Sequence, residues 1–322
     1  MRRREVIGLL ATIAVLPQTV LGQTAKKRPV VAWLGFAPKG TPLIEGYLDQ
    51  FLTGMRELGD TEGRDFEMVY RSADFHPERL PGLAVELVQL NPDVILVGAT
   101  IQAVAAKQAT DKIPIVVPVL ADPVLFGFAE NDARPPGNVT GITPYVKGLP
   151  AKQLELAREV VPRATRIGLL DDVTDPKAHP QRREIEAAGQ AMEIKIVPAK
   201  VRTSADIGSA YEALSASGVE VVVVDQSNML LNARSQIAEA ATAYGYREHV
   251  EAGGLISYGV NLGWCFHRAA SYVDKILKGA KPSELPVEFP TNLQLLINLK
   301  TAKALKLDIS RTLLDRADEV IE

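Results

Sequence analysis

The polar side chains best suited to binding or proton chemistry recur at one kind of place, just behind a short apolar run. Thr100 follows Val94 to Val97 and the small residues Gly98 and Ala99, and Asp122 follows Ile115 to Val119. Asp171 and Asp172 follow Arg166 to Leu170, and Asp225-Gln226-Ser227-Asn228 follows Glu220 to Val224. A carboxylate in such a place can pair an ammonium group, with Asp225 the first choice and Asp171 and Asp172 weaker ones. A threonine opening a helix adds its hydroxyl to free backbone amides, so Thr100 can hold an anionic group. Gln226, Ser227 and Asn228 offer neutral hydrogen bonds, and Phe36, Tyr145 and Tyr258 can stack on a flat ligand. Gly35, Gly98 and Ala99 leave backbone open to close approach. Plainer alternatives stand beside these: Thr100 as a helix cap, Asp225 as a helix cap or solvated turn, Asp122 before Pro123 as a turn former, the aromatics as core.

Catalytic patterns are missing from the sequence. Gly254-Leu255-Ile256-Ser257-Tyr258-Gly259 has the wrong spacing for a nucleophile elbow. No phosphate loop or dinucleotide fingerprint occurs. His76, His179, His249 and His267 lack metal-ligand spacing, and the one cysteine, Cys265, reads as packing. The expectation is a binding protein with no catalytic residue, no metal and no cofactor.

The elements that must carry these residues alternate between strand and helix. Unbroken apolar runs such as Val94 to Val97 and Ile115 to Val119 suit strands covered on both faces of a parallel sheet. Val30 to Gly35 and Phe66 to Tyr70 precede them, separated by helical spacing from Pro42 to Leu58 and a helix ending near Leu90. From Thr143 to Lys147 the pattern restarts. Helices are predicted over Ala151 to Val160, His179 to Gln190, Ser204 to Ala216 (with Ser204 as cap) and Arg234 to Ala243. Strands alternate with them at Arg166 to Leu170, Glu193 to Val197 and Glu220 to Val224, closing with Leu255 to Tyr258. In such sheets small ligands bind beyond the carboxyl ends of the strands. Two such lobes face their strand ends into one cleft, which a hinge can close.

At 322 residues, 47% hydrophobic and 23% charged, the chain is long enough for two folded domains. A net charge of −3 gives no basic footprint, so no nucleic-acid partner is expected. Arg2, Arg3 and Arg4 precede an apolar core from Val6 to Leu16, and Val20-Leu21-Gly22 offers a cleavage position. That is the layout of a secretory signal peptide over residues 1–22, cut between Gly22 and Gln23. Its apolar core is short of the ~20 residues that span a bilayer. Arg2-Arg3-Arg4-Glu5-Val6 also faintly resembles a twin-arginine signal, leaving the export route open. With no cysteine at the cleavage position there is no lipid anchor, and a soluble periplasmic protein is expected.

Several motifs, in order, carry a resemblance. They include Asn91-Pro92-Asp93-Val94-Ile95 with Gly98-Ala99-Thr100, Ala121-Asp122-Pro123-Val124 with Gly127, and Arg134-Pro135-Pro136-Gly137-Asn138-Val139-Thr140-Gly141. Val250-Glu251-Ala252-Gly253-Gly254-Leu255-Ile256-Ser257-Tyr258-Gly259 and the run from Tyr272 to Pro282 follow. Leu285-Pro286-Val287-Glu288, Ile297 to Ala302 and Arg316 to Glu322 complete the set. Together they resemble the ABC-transporter substrate-binding protein family, in its tryptophan- and amino-acid-binding branch. The resemblance implies an α/β protein of the type I periplasmic-binding-protein fold, two Rossmann-like lobes with parallel sheets joined by a three-segment hinge. Crossovers fall near Ile142 to Tyr145, Tyr258 to Leu262 and Phe289 to Leu293. Lobe 1 then covers residues 23–143 plus about 262–290, and lobe 2 covers 144–261 plus about 291–322, with 262–322 open to either packing. Two departures stand out. The segment before Tyr244-Gly245-Tyr246-Arg247 is shortened, which predicts a short strand there. Lys306 stands where the family has glycine at a helix end. The implied role is a monomeric solute-binding component that captures a small organic ligand and delivers it to an ABC permease in the inner membrane. The alternative is a sensor or co-receptor module of the same fold; a regulator would carry a helix-turn-helix where the signal peptide stands.

Overall fold

The computed structural model describes residues 27–121, 127–128, 137–144, 146, 148–175, 178–240, 243–245, 250–291 and 293–322. The expected Asp122 and Tyr145, and the signal segment, lie outside the described residues.

Two sheets organise the chain. The first holds β1 (Val30–Gly35), β2 (Glu67–Ser72), β3 (Val94–Val97), β4 (Ile115–Val117) and β5 (Val139–Gly141), all parallel, in the order β2-β1-β3-β4-β5. Helices α1 (Pro42–Glu57), α2 (Leu80–Gln89) and α3 (Thr100–Ala109) connect its strands. Val94, Ile95, Leu96 and Val97 are all buried, because this central strand is covered on both faces.

The second sheet runs β12-β11-β10-β9-β8-β6-β7. It is built from β6 (Arg166–Asp172), β7 (Lys195–Val201), β8 (Val221–Val224), β9 (Ala243–Gly245), β10 (Ile256–Val260), β11 (Leu293–Asn298) and β12 (Glu319–Ile321). Its helices are α4 (Leu149–Val160), α5 (Ala178–Ala191), α6 (Ile207–Ala216), α7 (Asn228–Asn232), α8 (Arg234–Ala240), α9 (Leu262–Leu277), α10 (Leu299–Ala304) and α11 (Arg311–Leu314). Of these α9 departs from the second sheet and packs in the first lobe. Gly54 of α1 lies so close that a Cβ there would sit 2.5 Å from the His267 carbonyl oxygen. Glycine is what lets the two helices approach, and Tyr47, Phe51 and Met55 share a core with Phe266, Ala269 and Val273.

The chain therefore passes between lobes three times: after β5, between β10 and α9, and before β11. Two of these passages run side by side. Thr143 N donates to Glu288 O (2.8 Å) and Glu288 N donates to Gly141 O (3.0 Å). The Glu288 carboxylate also accepts from Arg268 Nε at 2.7 Å, which anchors the pair to α9. The two-lobed α/β architecture is thus the observed one, with the first sheet parallel and the second parallel except where β11 meets β10.

Some local expectations change. Leu255 to Tyr258 is not the last strand: β10 is followed by β11, its antiparallel neighbour, and by β12. The run Leu295-Leu296-Ile297 is buried and long enough to extend the sheet. Thr203, not Ser204, opens the turn before α6, because Thr203 and Asp206 exchange hydrogen bonds as a capping box. β9 spans only three residues, as the shortened segment before it implies. No helix among the described residues is long and apolar enough to cross a membrane.

Candidate functional site

β1 and β3 end side by side, β1 at Gly35 and β3 just before Gly98 and Ala99. Gly35 closes β1 because the Tyr70 ring occupies the space of its side chain. A Cβ at Gly35 would meet Tyr70 Oη at 2.1 Å, and that hydroxyl is itself held on Ala37 O at 2.7 Å. After β3, Gly98 and extended Ala99 lead into α3. These strand ends form one side of a cavity of about 50 Å³. Phe36, Trp33 and Gln102 line it with Leu262 and Phe266 of α9, and Leu231 and Asn232 of α7 line it from the second lobe.

The walls are aromatic. Tyr47 stacks on Phe266 (centroids 4.4 Å, planes 9° apart), and Phe266 stacks on Trp33 (5.6 Å, 14°). Trp33 and Gln102 are 1% and 2% exposed, yet Trp33 Nε1 and Gln102 Oε1 have no hydrogen-bond partner among the described residues. A buried polar atom left without a partner costs free energy that the fold normally avoids. Here a donor and an acceptor are both left so, beside one cavity between the lobes. Such a site can receive a ligand that offers an acceptor to the indole and a donor to the amide, with its apolar part against the rings.

Of the residues singled out from sequence, Gly35, Phe36, Gly98 and Ala99 meet at this cavity. Thr100 is next to it, but its hydroxyl oxygen accepts from Ala121 N at 2.7 Å. It ties the exit of β4 to the start of α3, so that acceptor is spent on the fold. A wider opening of about 590 Å³ shares Leu43 and Tyr47 with the inner cavity. It lies between α1 and α8, with Gln50 on one wall and Arg234 on the other.

The second lobe contributes carboxylates at its strand ends. Asp225, 3% exposed, directly follows β8 and accepts from Gln226 N at 2.7 Å. The Gln181 amide brackets Gln226, taking its N–H at 3.1 Å. Ser227 Oγ accepts from Leu230 N at 3.1 Å, so it caps α7. Asp171 ends β6 fully buried and pairs with Arg182 Nη1 at 2.5 Å. Burial holds its carboxyl above the usual carboxylate range, and the Arg182 guanidinium pulls the other way. Asp172 accepts from Thr174 N and Oγ1, forming the turn after β6. A separate opening of about 580 Å³ beyond these strands is lined by His179, Arg182, Lys200 and Arg202, with Asp206 opposite. None of Asp171, Asp225, Gln226 and Ser227 lines the inner cavity. Tyr258 does not line it either: its ring packs half-buried on the core of the second lobe.

Sequence reading passed over Trp33, Tyr47, Gln102, Leu231 and Phe266. Only Trp33 carried a signal, as the one large aromatic two residues before the strand-end glycine.

Comparison with known proteins places this geometry in context. A family model described as ABC transporter substrate binding protein matches residues 40–321. The tyrosine-binding protein of Clostridioides difficile is 23% identical over 270 residues, 82% of this chain and 77% of that one. Among solved structures, the ABC domain from Streptococcus pneumonia in complex with L-Trp aligns with a TM-score of 0.84 at 22% identity, covering 91% of this chain and 100% of that one. A conserved domain protein from Vibrio cholerae aligns with a TM-score of 0.84 at 28% identity, over 91% of this chain and 100% of that one.

Proposed function

The chain belongs to the ABC transporter substrate binding protein family, and from that premise we propose that it is the periplasmic solute receptor of an importer for an amino acid with an apolar or aromatic side chain. The observation that carries this reading is the Trp33 donor and Gln102 acceptor, without partners among the described residues, beside an aromatic-walled cavity between the lobes. The names of two relatives point the same way, since one is a tyrosine-binding protein and another holds L-Trp.

Binding follows from the geometry without any chemical step. A cavity of about 50 Å³ has room for a few water molecules and not for an amino acid. The lobes therefore swing apart to admit the ligand, turning on the three passages around Gly141, Val260 and Phe289. On closing, the ring stack takes the apolar group while Trp33 and Gln102 take polar ones. Leu231 and Asn232 arrive from the opposite lobe, so the ligand favours the closed form by contacting both halves. The closed form is what an inner-membrane permease would accept. In this reading the exported chain begins at Gln23 and acts as a monomer.

The test is thermal unfolding of the mature chain against amino acids, with isothermal titration for any that act. A ligand that binds only the folded state adds about 2.7 kcal/mol at a hundredfold excess over its Kd. A rise in Tm with apolar or aromatic amino acids supports the reading. A flat response across the panel, with no amino acid extracted from the purified protein, sinks it.

A further inference from the structure

β2 leaves the first sheet at Ser72, beside the end of β1, and turns through Ala73 to His76. In that turn Asp74 (φ 52°) and Phe75 (φ 66°) both adopt the left-handed conformation. For a bulky L-residue this crowds Cβ against the following carbonyl, and glycine would make the turn without that strain.

The turn is nonetheless pinned from several sides. Phe75 N donates to Phe36 O at 2.9 Å, and Ala73 N donates to Gly35 O at 3.1 Å. Asp74 N donates to Ser72 Oγ at 2.9 Å, and Arg79 Nη1 donates to Asp74 Oδ2 at 2.5 Å. The arrangement presents the Phe75 ring edge-on to Phe36, centroids 5.9 Å apart and planes at 85°, with Phe75 46% exposed. Strain is thus kept for an aromatic ring that folding leaves half in water. Phe36, the ring it backs, lines the interlobe cavity. Strain retained beside a site is where a functional constraint is to be sought.

We propose that Phe75 is a specificity-determining residue of the interlobe site, extending the Phe36 wall outward so that a ligand's aromatic or branched aliphatic group is held against an apolar face. The inference rests on the reading of that cleft as the solute site. Phe75 selects for ligands that carry such a group beside a polar head, and against polyols and sugars.

The experiment compares the mature full chain with Phe75→Gly and Phe75→Leu, using L-tryptophan, L-tyrosine, L-leucine and D-ribose as probes. For each protein the Tm without probe and the Kd for every probe are measured. Glycine at this φ is expected to leave the ligand-free Tm unchanged or higher, while affinity for the amino acid bound best falls about tenfold. Leucine is expected to retain most of that affinity. Unchanged Kd values in Phe75→Gly overturn the proposal while leaving the cleft reading in place. Affinity lost together with a fall in the ligand-free Tm also overturns it, because the ring would then only be holding the turn. If the parent chain binds none of the amino acids, the cleft reading itself fails and this inference falls with it.

Discussion

Gln102→Leu should make the free protein more stable and the receptor worse. The two side chains are close in size and both favour helix, so α3 is undisturbed. What changes is the buried Oε1, which has no partner among the described residues. Removing an unsatisfied buried acceptor relieves about 1–3 kcal/mol. At about 2–4 °C per kcal/mol for a unit of one lobe's size, the ligand-free Tm rises by several degrees. In the proposed site the same atom is the acceptor offered to the ligand, so its loss should weaken binding by a similar amount, about five- to 150-fold in Kd. Scanning calorimetry of the free variant gives the first quantity, and isothermal titration with the amino acid bound best by the parent gives the second. The opposite signs are the diagnostic feature. A variant that loses stability and binds normally would refute the reasoning, since Oε1 would then be satisfied in the free protein and idle toward ligand.

Three further outcomes follow from the same structure. Gly35→Ala puts a methyl 2.1 Å from Tyr70 Oη, forcing that ring off Ala37 O; a loss of about 1–3 kcal/mol is expected by urea unfolding, with weaker ligand binding. Ser227→Ala removes the cap of α7 and should lower stability by about 1 kcal/mol while leaving Kd unchanged, which separates capping from ligand contact. Arg182→Met strands the fully buried Asp171 carboxylate and should cost about 3–5 kcal/mol at neutral pH. Asp171 titrates above its unfolded value of 3.8 in the folded protein, so between the two values the native state holds the extra proton and stability increases as pH falls. Without Arg182 that carboxyl rises further, so Tm measured downward from pH 8 should recover earlier and more steeply in the variant than in the parent.

Strand-forming apolar runs, their covering helices and the two-lobed plan were all legible in the sequence, because burial on both faces of a parallel sheet demands unbroken apolar residues. The same rule pointed to Gly35, Phe36, Gly98 and Ala99, which meet at the interlobe cavity, since the end of a strand is a local feature. Tertiary structure alone decided which polar atoms remain available. The Thr100 hydroxyl is taken by Ala121 N from 21 residues away, and Ser227 by the helix that it starts. Phe266 reaches Trp33 and Gln102 only because α9, following β10 of the second sheet, crosses to the first lobe and packs on α1 through Gly54. Periodicity reports which face of an element is apolar. Whether a buried donor or acceptor is spent on the fold or kept for a ligand depends on which distant backbone group arrives beside it.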